Sequence, residues 1–180
     1  MATRKEARHR AVLQVSALAV VTTIIVAVIV LGVTWFNNRP APHPSEVAIT
    51  VSNGEESIEI FPYQVCELGT ECGEGGEIPV IDAAPGDTLT IELDESIYDH
   101  DWSLLSIYDN PGANDQQLHG PHDATSAEVP VSAAPPAGSE EEPQLVVVEV
   151  NSAMLGTDDE GNETVYATVW SVATQSPTGR

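Results

Sequence analysis

Basic and acidic residues are distributed very unequally along this chain. Four of its six basic residues lie in the first ten positions, and an uncharged apolar run from Ala11 to Phe36 follows them directly. After Pro40 the only basic residue is Arg180, whereas 27 of the 28 acidic residues lie there. Because basic residues favour the cytoplasmic end of a membrane helix, this pattern predicts a cytoplasmic tail, one anchor and an acidic extracytoplasmic domain.

The run Ala11–Phe36 has the length of a transmembrane helix. Its 26 residues would reach about 39 Å as a helix, which exceeds a hydrocarbon core of roughly 30 Å. Trp35 and Phe36 occupy the place of an interfacial aromatic anchor. A cleaved signal peptide is the alternative, but its apolar region is usually about 7–15 residues, and a small-x-small cleavage site is missing. We therefore predict an uncleaved signal anchor in the plasma membrane, with a cytoplasmic N-terminus.

The chain divides into five predicted segments. They are a basic cytoplasmic tail (1–10), a transmembrane helix (11–36), a Pro-rich spacer (37–45), an extracytoplasmic domain (46–175) and a flexible tail (176–180). The spacer contains Pro40, Pro42 and Pro44, and prolines at this density favour extended, stiff backbone. The remaining length of about 140 residues suits a single domain.

The outer segment has the hydrophobic period of β-strands. Val47, Ile49 and Val51 alternate with small or polar residues, and Asn53-Gly54 then predicts a hairpin turn. Further strand-like runs lie at 77–82, 88–93, 102–108, 126–131, 145–150 and 165–172, between turns rich in Gly and Pro. No run has a convincing helical pattern. The sequence therefore predicts an all-β extracytoplasmic domain, an antiparallel immunoglobulin-like sandwich.

Three of these runs have a predicted place in the sandwich. Residues 145–150 are apolar on both faces apart from Glu149, which is typical of a central strand, and 165–172 is its expected partner. Residues 126–131 have a weaker pattern and are predicted to form an edge strand. The Pro-, Ala- and Glu-rich segment 133–143 is expected to be a mobile loop.

Cys66 and Cys72 are the two cysteines of the chain. An even number of nearby cysteines outside the membrane predicts a disulfide, which would close a short loop over residues 67–71. A redox role is the alternative, but the spacing differs from that of the Cys-x-x-Cys motif. We therefore expect a structural bridge.

A polar cluster precedes the strand at Trp102. Asp99, His100 and Asp101 lie there, and His119, His122 and Asp123 follow in a loop rich in Pro and Gly. Histidines and carboxylates are metal ligands, so His100, His119, His122 and Asp123 are candidates for a divalent-metal site. The alternative is that the carboxylates cap turns while Trp102 packs in the core.

A second acidic run, residues 158–163, raises the question of calcium. Hard cations prefer carboxylate oxygens, but the ligand positions of an EF-hand loop are not met here. A solvated hairpin tip between the last two strands is the alternative that we favour.

Motifs of enzymes are missing from the outer segment. It contains no Gly-x-Ser-x-Gly elbow, phosphate loop or dinucleotide fingerprint. With Arg180 as the single basic residue, it also has no cation suited to stabilise a developing oxyanion. We therefore predict that the protein is not an enzyme and uses no cofactor.

The acidic charge of the segment after Pro40 limits which classes of molecule it can bind. One arginine against 27 acidic residues gives the segment after Pro40 a net charge of −26 with neutral histidines. Such a surface repels nucleic acid and anionic lipid headgroups, and it attracts divalent cations or a basic protein. The alternative is that the charge only keeps a tethered domain soluble.

The layout resembles an uncharacterised family of membrane-anchored proteins from corynebacteria and their relatives, a domain of unknown function. The similar stretches are Met1–Arg8, Ile97–Trp102, Asn114–Gln117, and Leu145–Val150 with the hairpin Thr157–Asp159. The resemblance runs over most of the chain and implies an actinobacterial cell envelope. It implies no activity and no site residue.

Two functional hypotheses follow. The first is a non-enzymatic protein-interaction module anchored in the cytoplasmic membrane, which contacts another envelope protein through Asp99, His100 and Asp101 and the loop Asn110–Asp123. The second is an extracytoplasmic domain that binds a divalent metal.

Overall fold

The computed structural model describes residues 4–37, 43–136, 138, 140–158 and 160–175. They fall into two compact units, Met1–Ala41 and Pro42–Arg180. The first unit contains one helix, α1 (Arg4–Asn37). In it, the Thr22 hydroxyl donates to the Leu18 carbonyl at 2.8 Å, as a polar side chain does within an apolar helix.

Helix α1 confirms that the apolar run is helical, and the helix also includes most of the basic tail. No helix in the described part of the chain is long and apolar enough to cross a membrane.

The second unit is a sandwich of two β-sheets. Its strands are β1 (Ile49–Ser52), β2 (Ser57–Ile60), β3 (Gln64–Glu67), β4 (Val80–Asp82), β5 (Thr88–Glu92), β6 (Trp102–Tyr108), β7 (Asp115–His119), β8 (Ser126–Pro130), β9 (Leu145–Thr157) and β10 (Glu163–Gln175). A one-turn helix, α2 (Glu95–Tyr98), connects β5 to β6, and 3₁₀ turns form at Pro44–Glu46 and Pro111–Ala113. One sheet has the order β2-β1-β5-β8, and the other has the order β3-β10-β9-β6-β7 with β4 beside β10.

The core lies between the sheets and follows the two-residue period of the strands. Leu89 and Ile91 of β5 are fully buried, as are Leu104 of β6 and Trp170 of β10. The Trp170 indole Nε1 also donates to the Val47 carbonyl at 2.9 Å, so the polar end of this buried ring has a partner. Burial of these side chains is the main favourable contribution to folding.

The predicted strand arrangement is confirmed at several points. Strand β9 is central, with β6 on one side and β10 on the other, and β8 is an edge strand. The Asn53-Gly54 turn joins β1 to β2, where the Asn53 Oδ1 accepts from the amides of Glu55 and Glu56 at 2.9 and 2.7 Å. The sandwich is thus readable from the alternation of its inward-facing residues.

The prediction of a wholly antiparallel sandwich is wrong for one pair. Strand β4 runs parallel to β10, with Val80 opposite Ala173. Strand β3 already pairs antiparallel with residues 166–169 of β10. The chain reverses direction between β3 and β4. Strand β4 pairs with the part of β10 that β3 leaves unpaired, and it runs in the opposite direction to β3.

Three elements were not predicted from the pattern. Strand β3 has four residues, and β7 is a polar edge strand (Asp-Gln-Gln-Leu-His) without alternation, inside what was predicted to be a loop from Asn110 to Asp123. The expectation of no helix in the domain is wrong for α2, which begins at an Asp94 cap whose side chain accepts from the Ser96 amide at 2.9 Å. Elements this short carry too few residues for a periodic signal.

The predicted disulfide is confirmed. Cys66 at the end of β3 is bonded to Cys72, with 5.3 Å between their Cα atoms. Within the loop between the two cysteines, the Thr70 amide donates to the Glu67 carbonyl at 3.2 Å. For so short a loop, the bridge contributes about 2 kcal/mol through restriction of the unfolded chain.

The first described residues of the domain, His43 and Pro44, pack beside Gly156 of β9 and Tyr166 of β10. Pro44 is buried, and the His43 ring lies edge-on to Tyr166 with 5.1 Å between the ring centroids. A methyl group on Gly156 would lie 2.7 Å from Pro44 Cδ and 2.8 Å from Tyr166 Cε2. Only a residue without a side chain therefore fits between them.

Gly156→Ala should lower the free energy of unfolding by about 1–3 kcal/mol, because the added methyl overpacks this contact. Gly73→Ala is the matched control, since open space surrounds that glycine. Chemical denaturation of the full chain in neutral detergent, followed by tryptophan fluorescence, measures both. Equal stability of the two variants would contradict the close packing at Gly156.

Candidate functional site

A concave region lies on the six-stranded sheet near the start of β6. We call it the sheet-face hollow; it has a volume of about 560 Å³ and crosses β7, β6, β9 and β10. Its lining includes Ser103, Leu118, Asn151, Ala153, Ala167 and Val169. These residues alternate with inward-facing ones such as Trp102, Ser152 and Thr168, so they lie on the face turned away from the core.

Strand register brings this lining together. Leu118 is opposite Ser103, Ser103 is opposite Asn151, and Asn151 is opposite Val169, which makes one row across four strands. Ala153 and Ala167 are opposite each other in the next row. Small side chains in the middle of the two rows leave the space that forms the hollow.

Leu118 makes one border of the sheet-face hollow strongly apolar. Its side chain is 79% exposed on β7, an otherwise polar strand. Single exposed leucines are common on proteins, but this one adjoins a concave apolar surface. Such a combination is typical of binding surfaces, where apolar contact supplies affinity.

Carboxylates lie near the same end of the hollow, around Gly120, two residues beyond Leu118. The Gly120 amide donates to Asp123 Oδ2 at 2.8 Å. A methyl group on Gly120 would lie 3.0 Å from that oxygen and 3.9 Å from Asp101 Oδ1. Both acids are exposed. The hollow therefore has an apolar floor and an acidic rim.

A stacked pair of rings underlies this end of the hollow. Trp102 and His119 are opposite each other in the β6–β7 register, with ring centroids 4.0 Å apart and planes at 15°. The Trp102 Nε1 and His119 Nε2 atoms are buried without a hydrogen-bond partner in the described part of the chain. Stacking thus holds His119 against Trp102 on the inner face of the sheet, beneath this end of the hollow.

The other histidines of the polar cluster have separate local roles. His100 Nδ1 contacts Asp99 Oδ1 and lies 3.2 Å from the Ser96 carbonyl of α2. His122 has a positive φ of 61°, its amide donates to the Tyr98 carbonyl at 2.7 Å, and its ring lies edge-on to Tyr98. Both histidines therefore anchor the loops beside α2.

The candidate metal ligands make separate local contacts in the structure. Among the described residues, no three His, Cys, Asp or Glu side chains are arranged to hold a metal ion. His119 stacks on Trp102, while Asp123 accepts from a backbone amide. The metal site at His100, His119, His122 and Asp123 stays a prediction. The core position expected for Trp102 is confirmed, since this residue is 3% exposed.

Asp158 and residues 160–162 of the acidic run lie at the tip of the β9–β10 hairpin. The Asp158 Oδ1 accepts from the amides of Asn162 and Glu160 at 2.8 and 2.9 Å. These hydrogen bonds lower the pKa of Asp158, and the bond from the Asn162 backbone has the largest effect. The carboxylate is thus used within the turn, as expected for a hairpin tip.

A second depression lies between β7 and β8, on the other side of β7. We call it the acidic groove; it has a volume of about 240 Å³, and its lining includes Tyr108, Asp115, Gln117, Glu128 and Pro130. The Tyr108 hydroxyl donates to the Pro130 carbonyl at 2.8 Å. Burial, and then the charge of Asp115, raises the pKa of Tyr108 above 10.0.

The predicted contact surface, Asp99–Asp101 with the loop Asn110–Asp123, includes the lining residues of β7 but not those of the neighbouring strands. Asp99 and Asp101 were predicted contact residues, and Asp101 indeed lies at the hollow. Leu118, Ala153 and Ala167 belong to three different strands and have no motif in common. Only the register of the sheet brings them together, and a single sequence contains no direct signal for that register.

Tyr108→Phe should change stability in a pH-dependent way. The folded state favours the neutral phenol of Tyr108. This preference therefore stabilises the fold fully below the unfolded-state pKa of about 10. The stabilisation is lost as the pH rises through the higher pKa of the folded state. The variant should lose about 1 kcal/mol at neutral pH through the missing hydrogen bond, and its stability should fall less steeply above pH 10.

Urea denaturation between pH 7 and 11 measures this effect. Tyr63→Phe is the matched control, because Tyr63 precedes β3 at the far edge of the same sheet. An alkaline slope equal to that of the unmodified chain would contradict the burial of the Tyr108 phenol.

Comparison with known proteins concerns the folded domain. The sequence model of a family described as "Protein of unknown function (DUF2771)" matches residues 42–175. This range contains β1 to β10, the sheet-face hollow and the acidic groove. No curated protein matches the chain.

Proposed function

Since the chain belongs to the DUF2771 family, whose function is unknown, we propose a role from its own residues: a membrane-anchored envelope protein whose sandwich is a protein-interaction module. The observation that carries this proposal is the sheet-face hollow, where exposed Leu118 borders an apolar floor and Asp101 and Asp123 form an acidic rim. An apolar centre beside charged groups is the usual anatomy of an interaction surface.

Charge complementarity indicates the kind of protein that would bind. The segment after Pro40 has one basic residue against 27 acidic ones. A basic protein surface would be attracted and steered to the hollow, whereas nucleic acid and anionic lipids would be repelled. Because no basic residue other than Arg180 is present there to stabilise an oxyanion, binding rather than catalysis suits the site.

An immunoglobulin-like topology is part of the proposal. Strands β5 and β8 are neighbours in one sheet, and β10, β9, β6 and β7 follow one another in the second. This order corresponds to B and E, and to G, F, C and C′, of variable-type immunoglobulin domains. Domains of this kind commonly use loops and sheet faces on a rigid framework for binding.

Membrane attachment is supported by the sequence. The uncharged run Ala11–Phe36 follows four basic residues and ends at two aromatic ones, as in a signal anchor with a cytoplasmic N-terminus. The resemblance of the sequence to corynebacterial proteins favours the plasma membrane of an actinobacterial cell as the site of this anchor. The domain would then face the cell envelope.

Membrane fractionation tests the anchor. The full chain should stay in membranes washed with alkaline carbonate, and protease added outside the cell should digest a C-terminal tag but not an N-terminal one. Deletion of residues 11–36 should release the domain. Release of the full chain by carbonate, or a mature N-terminus near Pro42, would contradict the anchor.

Site-specific photo-crosslinking tests the interaction surface. A photoreactive phenylalanine analogue in place of Leu118 should crosslink the full chain to a protein in native membranes. The crosslink should weaken in an Asp101→Asn, Asp123→Asn background, where both rim charges are absent but hydrogen-bond acceptors remain. The same analogue at exposed Glu59 on β2 is the matched control. Equal crosslinking at positions 118 and 59, or none at 118, would contradict the proposal.

A further inference from the structure

We propose that the partner binds to β7 as an added β-strand. The segment of the partner that binds is extended, and its side chains alternate between apolar and basic. This inference rests on the proposed function, because it names the mode of binding and the chemistry of the partner at the same surface. An added strand gains affinity from main-chain hydrogen bonds and specificity from pockets for alternate side chains.

Strand β7 has an edge that is not paired with another described strand. In the described part of the chain β7 pairs with β6 alone and is the last strand of the six-stranded sheet. Residues 115–118 are all exposed. The backbone N–H and C=O groups that point away from β6 are therefore available for another strand.

The other edges are better protected against strand addition. Strand β8 ends in Pro130, which lacks a donor, and β2 follows Glu55 and Glu56. The opposite edge of the large sheet is shared by β3 and β4, which pair with different halves of β10. Strand β7 contains no proline and one acidic residue, Asp115. It is thus the edge with the fewest of the usual safeguards.

The two sides of β7 differ in chemistry. Leu118 is opposite Ser103 on the outer face and borders the sheet-face hollow. Asp115 and Gln117 lie on the other face and line the acidic groove together with Glu128. Side chains of a strand beside β7 would alternate between these faces. Apolar side chains would contact Leu118 at the border of the hollow, and basic ones would face Asp115 and Glu128.

Charge also argues against a second copy of this chain as the occupant. Two domains with a net charge of −26 repel each other at low ionic strength. Strand β7 itself has no lysine or arginine to place beside Asp115 of another copy. A basic extended peptide has the complementary charge, so it is the occupant that we propose.

Synthetic peptides test the inference directly. An eight-residue peptide of alternating Lys and Val, and an isomer with the same residues in two blocks, would be titrated into the full chain in neutral detergent. Fluorescence anisotropy should show at least about fivefold tighter binding of the alternating peptide. Its dissociation constant should rise between 0.05 and 0.5 M salt, because the Debye length falls from roughly 14 to 4 Å.

N-methylation separates strand addition from simple charge attraction. Methyl groups on the amides of one alternate set of peptide residues should abolish binding, while methylation of the other set should leave it within about twofold. Hydrogen exchange of the β7 amides should slow in the presence of the unmodified peptide. This test leaves the protein unchanged, so it does not depend on the folding of a variant.

Protein variants then locate the contacts. Asp115→Asn and Glu128→Gln should each weaken binding by about two- to fivefold, the range expected for exposed ion pairs. Leu118→Ala should weaken it through the lost apolar contact. Glu59→Gln is the matched control, since it removes one exposed carboxylate on β2, outside both the hollow and the groove.

The outcomes distinguish this inference from the proposed function. Equal binding of the two methylated peptides, or of the alternating and block isomers, would overturn strand addition while the crosslink at position 118 could still form. Unchanged exchange of β7 amides with the peptide bound would overturn it as well. Loss of the crosslink at position 118 would instead overturn the interaction module itself.

Discussion

The antiparallel pairing of β9 with β10 is the interaction on which the rest of the sandwich depends. It runs from Thr157 opposite Glu163 to Val147 opposite Ala173. Strand β6 adds to one side of this ladder, and β3 and β4 add to the other. Its inward face supplies Trp170, whose indole also bonds the Val47 carbonyl of the chain entry. The continuous ladder thus fixes the position of both sheet edges and much of the core.

The same ladder produces the candidate site, because side chains of a strand alternate between its faces. Ser152 and Thr168 point inward, while their neighbours Ala153 and Ala167 form part of the floor of the sheet-face hollow. A sequence change that shifted this register by one residue would move core residues to the surface and remove the hollow. Stability and the shape of the site are therefore coupled.

Electrostatics and apolar contact have different roles in the proposed interaction. The acidic surface attracts basic segments over the distance set by ionic screening and excludes acidic partners. In that interaction, affinity would come from the apolar contact at Leu118 and, where a strand adds to the sheet, from the open backbone groups of β7. In the proposed interaction, the net charge would thus select the class of partner, whereas the local geometry would select the place and direction of binding.

Features that depend on local sequence pattern could be predicted before the fold was known. Alternation predicted β1 and β5, and a run that is apolar on both faces predicted the central strand β9. The two nearby cysteines predicted the Cys66–Cys72 bridge. The structure confirms all of these. The sequence did not show that β4 runs parallel to β10, or that Leu118 and Ala167 share one surface. Those features depend on which strands become neighbours and in what register, and only the packing of the whole domain decides that.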